Sequence, residues 1–132
     1  DNGSIVDYFE YVNGGDPIRH DGYYWTGNQG IFAGGAIMVY NHTKDPKYLD
    51  VATKVINYVA AIQDQEGEDR ILNREWHEID GCGGKGILGR WMGYFIRETG
   101  NHDYDEWMIT SAKVALSNRN NENIMMSAFG MT

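Results

Sequence analysis

The sequence predicts an all-α chain built from stacked helical hairpins, and three observations predict it. Gln29-Gly30-Ile31-Phe32 is echoed 56 residues later by Lys85-Gly86-Ile87-Leu88, and each copy runs through an apolar stretch to a Thr (Thr43, Thr99), a polar turn and a Tyr (Tyr48, Tyr104). Apolar residues within these stretches recur at steps of three and four, the period of a helix with one buried face. Start and stop residues stand where hairpin helices would begin and end. A two-helix unit of this size cannot bury its apolar face alone and must stack on neighbours.

The elements follow in order. Ser4 to Val12 places Ile5, Val6, Tyr8, Phe9 and Val12 at helical spacing, with Ser4 as a candidate N-cap, and predicts a short helix. Asn13 to Gly27 is rich in Gly, Asp and aromatics and predicts an ordered loop. From Asn28 to about His42 the pattern predicts a buried helix carrying Ile31, Phe32, Ile37, Met38, Val39 and Tyr40, with Gly34-Gly35 allowing another helix to approach closely. Asp45-Pro46 is a strong start signal, an N-cap followed by proline at the first helical position, and Tyr48, Ala52, Val55, Val59 and Ile62 follow on one face. Gln63 to Gly84 is a long mixed connection. Gly84 to Glu98 predicts a second buried helix ended by Gly100, and His102 to Ser117 closes the second hairpin. Ile124 to Thr132 would open a third unit.

Composition narrows the function. With 42% hydrophobic and 13% aromatic residues, the 132-residue chain can build a real core. Only 11 basic residues stand against 19 acidic ones, and a net charge of −8 argues against a nucleic-acid partner. No apolar run reaches the roughly 20 residues of a membrane span. Cys82 is the single cysteine, so it forms no internal disulfide, and an inert buried thiol is its expected state. His20, His42, His77 and His102 lack metal-ligand spacing, and no metal or other cofactor is expected. Gly81 to Gly86 lacks the phosphate-loop spacing. Asn41-His42-Thr43 is formally a glycosylation sequon.

Trp25-Thr26-Gly27-Asn28-Gln29-Gly30 resembles the W-x-Y-N-Q-G signature of glycoside hydrolase family 76, the endo-α-1,6-mannanases and their relatives. Asp80-Gly81-Cys82-Gly83-Gly84-Lys85-Gly86-Ile87-Leu88-Gly89-Arg90 resembles that family's D-x-x-x-F-K-G-I-F-x-R segment, and Asp21-Gly22 and Thr43 to Leu49 also resemble its pattern. Gly27 stands where the family usually has Tyr, and Gly84 where it has Phe. The resemblance implies an (α/α)6 toroid of six hairpins, so that residues 1–132 form one fragment of a larger domain of about 340 residues. It implies hydrolysis of α-1,6-mannan, a mannan-like oligosaccharide or polysaccharide as partner, and an extracellular, periplasmic or cell-surface location. The family's catalytic pair is an adjacent Asp-Asp upstream of the N-Q-G motif. No Asp-Asp occurs here, so the chain alone is expected to be inactive, with its catalytic residues elsewhere.

The candidate substrate-binding residues are Trp25, Asn28, Gln29, Glu75, Asp80 and Lys85. Sugar rings pack C–H faces on aromatics such as Trp25, while Asn28 and Gln29 offer hydrogen bonds to hydroxyls. Equally, Trp25 can cover helix tops and Asn28 can cap its own helix. A glycosidase needs two carboxyl groups about 5 to 10 Å apart. Glu75 and Asp80, in a loop with Trp76 and His77, are the best-placed carboxylates for sugar contact; otherwise Asp80 caps or pairs with Lys85 or Arg90, and Glu75 is solvated. A non-catalytic carbohydrate-binding or scaffold protein with the same toroid is the alternative function. Incomplete stacking leaves apolar faces open, so self-association or a companion fragment is expected.

Overall fold

The computed structural model describes residues 2–19, 25–62, 64–66, 69–72 and 83–125. Glu75, Asp80, Tyr23, Tyr24, Trp76, His77, Cys82 and the third unit beyond Met125 lie outside the described residues. Among the described residues the chain forms two helical hairpins, α1 (Thr26–Thr43) with α2 (Pro46–Ala61) and α3 (Gly84–Thr99) with α4 (Asp105–Ser117), accompanied by two short antiparallel ribbons, β1 (Phe9–Glu10) with β2 (Ile18–Arg19) and β3 (Asp64–Glu66) with β4 (Asp69–Ile71).

The 56-residue repeat is reproduced atom for atom at the hairpin corners. Lys44 and Gly100 end α1 and α3 in the left-handed conformation, at φ 58° and 66°, and donate their N–H to the carbonyls of Tyr40 and Ile96. Thr43 Oγ1 donates to the Val39 carbonyl at 2.9 Å and accepts from Asp45 N–H; Thr99 Oγ1 does the same with Phe95 and Asn101. Each threonine hydroxyl therefore bonds back to the carbonyl four residues earlier in its helix and accepts the N–H that starts the next turn. Glycine is the residue that adopts this φ without strain, and the first corner carries lysine instead. Lys44→Gly is expected to stabilise the chain by about 0.5 kcal/mol, since relief of left-handed strain is partly offset by the freer unfolded chain. Urea denaturation would measure it.

The second helix of each hairpin starts differently. Asp45 accepts from Lys47 N–H at 3.1 Å and Pro46 fixes the first turn, so α2 begins where the sequence places it. The hydrogen bond and ion pair to Lys47 hold the Asp45 carboxyl below its ordinary range, so this cap fades as pH falls through the acid range. Without a proline, α4 begins at Asp105, three residues later than expected.

Packing corrects the expected core of α1. Ile31 and Phe32 are 52% and 43% exposed, and Met38 and Val39 are exposed too, whereas Gly30, Ala33, Gly34 and Ile37 are buried. The cause is close approach to α3, which only small side chains allow. A Cβ on Gly30 would lie 2.7 Å from Leu88 Cα, and one on Gly34 would enter the Trp91 ring, while Gly35 faces open space. Asn41 closes the far end of this interface, donating to Tyr94 Oη at 3.3 Å and Glu98 Oε2 at 3.0 Å. Contacts advance in the same direction along both helices, so α1 and α3 run parallel with their N-termini at one end. Ala52, Val55, Ile56 and Val59 of α2 complete the core with Leu88, Met92 and Phe95 of α3.

Tyr104 joins that core at 8% exposure, its ring edge-on to Phe95 and its hydroxyl donating to Asn57 Oδ1 at 2.6 Å. Burial, and secondarily the Asp103 charge, raises its pKa above 10.0. The folded state thus holds this proton more tightly than the unfolded one. Its stability is complete below pH 10 and declines as pH rises through the tyrosine range. Tyr104→Phe is expected to flatten that alkaline decline in denaturation experiments run across pH 9 to about 11.

The N-terminal segment is extended where the spacing predicted a helix over Ser4 to Val12. The side-chain amide of Gln29 takes both backbone groups of Ile5, accepting from its N–H at 3.1 Å and donating to its carbonyl at 2.7 Å. Phe9 then pairs with Arg19 and Glu10 with Ile18, around a turn in which Asn13 and Gly14 both have positive φ. Asn-Gly is a strong hairpin signal, and here it overrides the helical spacing. Ile71 and Leu72, read as part of a connection, are buried, and Leu72 N–H donates to Ser111 Oγ of α4.

Candidate functional site

The parallel course of α1 and α3 brings the two motif segments together. The backbones touch where Gly30 meets Leu88, one residue after Gln29 and three after Lys85, so the first turns of the two helices adjoin. Trp25, Asn28 and Gln29 from the first motif and Lys85 from the second therefore stand at one end of the molecule.

Their roles there differ. Gln29 is wholly buried and its amide holds the backbone of Ile5, so it anchors the N-terminal segment across the start of α1. That anchoring carries Asp7 to Asn28. Asn28 Nδ2 donates to Asp7 Oδ1 at 2.7 Å, in an exposed contact between residues 21 positions apart. Asn28 does not cap its helix: α1 begins two residues earlier than expected, at Thr26, and the N-cap position is Trp25, which makes no side-chain cap. With its amide N–H engaged by Asp7, the Asn28 carbonyl oxygen is oriented as an acceptor. Lys85 is 5% exposed in the first turn of α3, at the repeat position of Gln29.

Trp25 is half-buried and folds over the helix start. A Cβ on Gly27 would lie 2.6 to 2.7 Å from three atoms of the Trp25 six-membered ring. The indole thus occupies the space where the resemblance leads one to expect a tyrosine, which explains how glycine is accommodated at position 27. Gly84, the other departure, is buried as the first residue of α3.

Asp7 escaped the sequence reading. It lay inside the segment read as helix, and no local pattern ties it to Asn28; only the Gln29–Ile5 pairing does. Glu75 and Asp80 lie outside the described residues. Among the described residues, no cluster of three or more His, Cys, Asp or Glu could hold a metal ion, and no helix is long and apolar enough to cross a membrane. Chemically, the site offers a carboxylate, an oriented amide and an indole at one end of a rigid helix pair, groups suited to a polyhydroxylated ligand.

Comparison with known proteins gives this geometry a context. Thirteen solved chains match. An inactive variant of the α-1,6-mannanase GH76A of Salegentibacter sp. HEL1_6, carrying two adjacent Asp-to-Asn changes and solved with α-1,6-mannotriose, superimposes with a TM-score of 0.84 at 23% identity over 98% of this chain. The Lin0763 protein from Listeria innocua gives 0.79 at 22% identity over the whole chain. At these identities the likeness establishes the fold. The chain spans 39% and 37% of the length of those two proteins. No curated protein sequence matches it. The sequence profile of glycosyl hydrolase family 76 matches residues 1–131, so that nearly every residue of this chain falls within it, and the chain belongs to glycosyl hydrolase family 76.

Proposed function

We propose that this chain supplies one wall of the sugar cleft of a glycoside hydrolase acting on α-1,6-linked mannan, outside the cell or at its surface, with the catalytic carboxylate pair beyond these residues. The observation that carries the reading is the junction of the two first turns, where Asp7-bound Asn28 and Trp25 stand beside Lys85 in a family 76 chain. The mannotriose complex of the Salegentibacter enzyme supports an α-1,6-linked ligand. In this reading Trp25 packs on a sugar ring, Asn28 and Asp7 accept from its hydroxyls, Gln29 holds the segment bearing Asp7, Lys85, buried in the first turn of α3, supports the wall from behind, and Glu75 and Asp80 contribute further polar groups.

Calorimetry with α-1,6-mannotriose, alongside an assay for new reducing ends, tests it. Binding without cleavage is expected, and Asn28→Ala should weaken the affinity about tenfold, the effect of losing roughly 1.4 kcal/mol. Cleavage by the chain alone, or no binding, would contradict the proposal. The absence of adjacent aspartates within these residues is equally compatible with a second reading, a non-catalytic carbohydrate-binding or scaffold protein of the same fold. An Asp-Asp pair encoded within about a hundred residues upstream supports the enzyme, since two carboxyl groups are the chemical requirement; its lack supports the binder.

A further inference from the structure

Two choices at the start of α1 cost helix stability, and they occur together. Trp25 holds the N-cap position without an oxygen in its side chain that could cap, where Ser, Thr, Asp or Asn is preferred. Gly27, two residues on, is a poor helix former. Locally unfavourable residues kept side by side point to a site that uses them.

The geometry makes each depend on the other. A Cβ on Gly27 would lie 2.6 Å from Trp25 Cη2 and 2.7 Å from its Cζ2 and Cζ3. These are three consecutive atoms of the six-membered ring at nearly equal distance, so the Cβ would stand over the ring face and not beyond its edge. The bare Cα of Gly27 therefore backs one face of the indole. Any other residue there would push the ring away by about 0.8 Å or more, from 2.6 Å to the 3.4 Å at which ordinary contact begins. The ring would yield and the helix would not. The three atoms nearest that Cβ all belong to one side chain, whereas a Cβ on Gly30 would strike the backbone of Leu88. Asn28, the next residue, is tied down independently of the ring: its backbone N–H donates to the Trp25 carbonyl at 3.2 Å and its side-chain amide to Asp7 at 2.7 Å.

We propose that Gly27 is a positioning residue of the sugar site. It lets the Trp25 indole lie flat on the first turn of α1, at the depth where a mannose ring stacks on the face turned away from Gly27 while Asn28 and Asp7 accept from its hydroxyls. The proposal rests on the mannan-cleft reading above and adds to it the residue that sets the height of the aromatic platform. A side chain at position 27 lifts the indole into the space of the sugar, which weakens binding and leaves the fold intact.

Calorimetry with α-1,6-mannotriose tests it, on the wild-type chain and on the Gly27→Ala, Trp25→Ala and doubly substituted variants. Each single substitution should weaken binding about tenfold, and the double variant should bind no more weakly than Trp25→Ala, because Gly27 acts through the ring. Urea denaturation should find Gly27→Ala at least as stable as the wild type, since alanine is the better helix former. The Trp25 indole N–H resonance should move in that variant before any sugar is added. Wild-type affinity in Gly27→Ala, a further loss of similar size when it is added to Trp25→Ala, or a destabilised Gly27→Ala would overturn the proposal and leave the mannan reading standing. If Trp25→Ala binds like the wild type, or the wild type does not bind, the reading of Trp25 as a sugar platform fails and the proposal with it.

Discussion

A Gly30→Leu substitution is expected to destabilise the chain by about 3 kcal/mol, the upper part of the range for overpacking a close contact. The reason lies in which atoms stand opposite. A Cβ on residue 30 would lie 2.7 Å from Leu88 Cα and 3.0 Å from Leu88 N, and backbone cannot rotate out of the way as a side chain can. The two parallel helices would have to separate, loosening Ala33 and Ile37 from Leu88 and Met92 along the same seam. Gly35, five residues on, supplies the control. Its Cβ would meet nothing within 4 Å, so Gly35→Ala should gain up to about 1 kcal/mol from helix propensity alone. Opposite signs in paired urea denaturations would establish that the α1–α3 seam, rather than a general intolerance of helix glycines, sets the cost.

A Gln29→Leu substitution is expected to cost about 2 to 3 kcal/mol, because it strands both the N–H and the carbonyl of Ile5, two partly buried groups that lose their partners. Leucine preserves most of the volume, so the loss would report hydrogen bonding and not a cavity. The effect should travel. The segment released from Gln29 carries Asp7, whose carboxylate holds the Asn28 amide, and Gly3, which packs against the Lys54 carbonyl of α2. Hydrogen exchange should show the Ile5 amide losing protection while amides in the middle of α2 and α3 keep theirs, and urea denaturation would give the magnitude.

Much of the helical framework was legible in the sequence because local chemistry encodes it. The Asp45-Pro46 start, the Thr43 and Thr99 corners and the Gly100 stop act within a few residues of where they stand. What was misread depends on partners distant in sequence. The spacing from Ser4 to Val12 suits a helix, yet Gln29 supplies Ile5 with an alternative to the helical hydrogen bonds, and Asn13-Gly14 turns the chain into a ribbon. Hydrophobicity suggested that Ile31 and Phe32 face inward, but the close approach of α3 selects Gly30 and Gly34 for that side. The same distinction applies at the site. The motifs single out Trp25, Asn28, Gln29 and Lys85, and the helices bring these four residues to one end. Asp7 was not readable, because its place beside Asn28 is set by pairing across 24 residues, from Ile5 to Gln29.

The central proposal, that this end of the helix pair forms part of an α-1,6-mannan cleft, is tested most directly by following side-chain NMR signals while α-1,6-mannotriose is added. The Asn28 amide and the Trp25 indole N–H should shift together and saturably, with the buried Gln29 amide moving far less. Maltotriose, which differs in linkage and sugar, should leave them in place. Signals of Asn28 and Trp25 that stay fixed at saturating mannotriose would contradict the account.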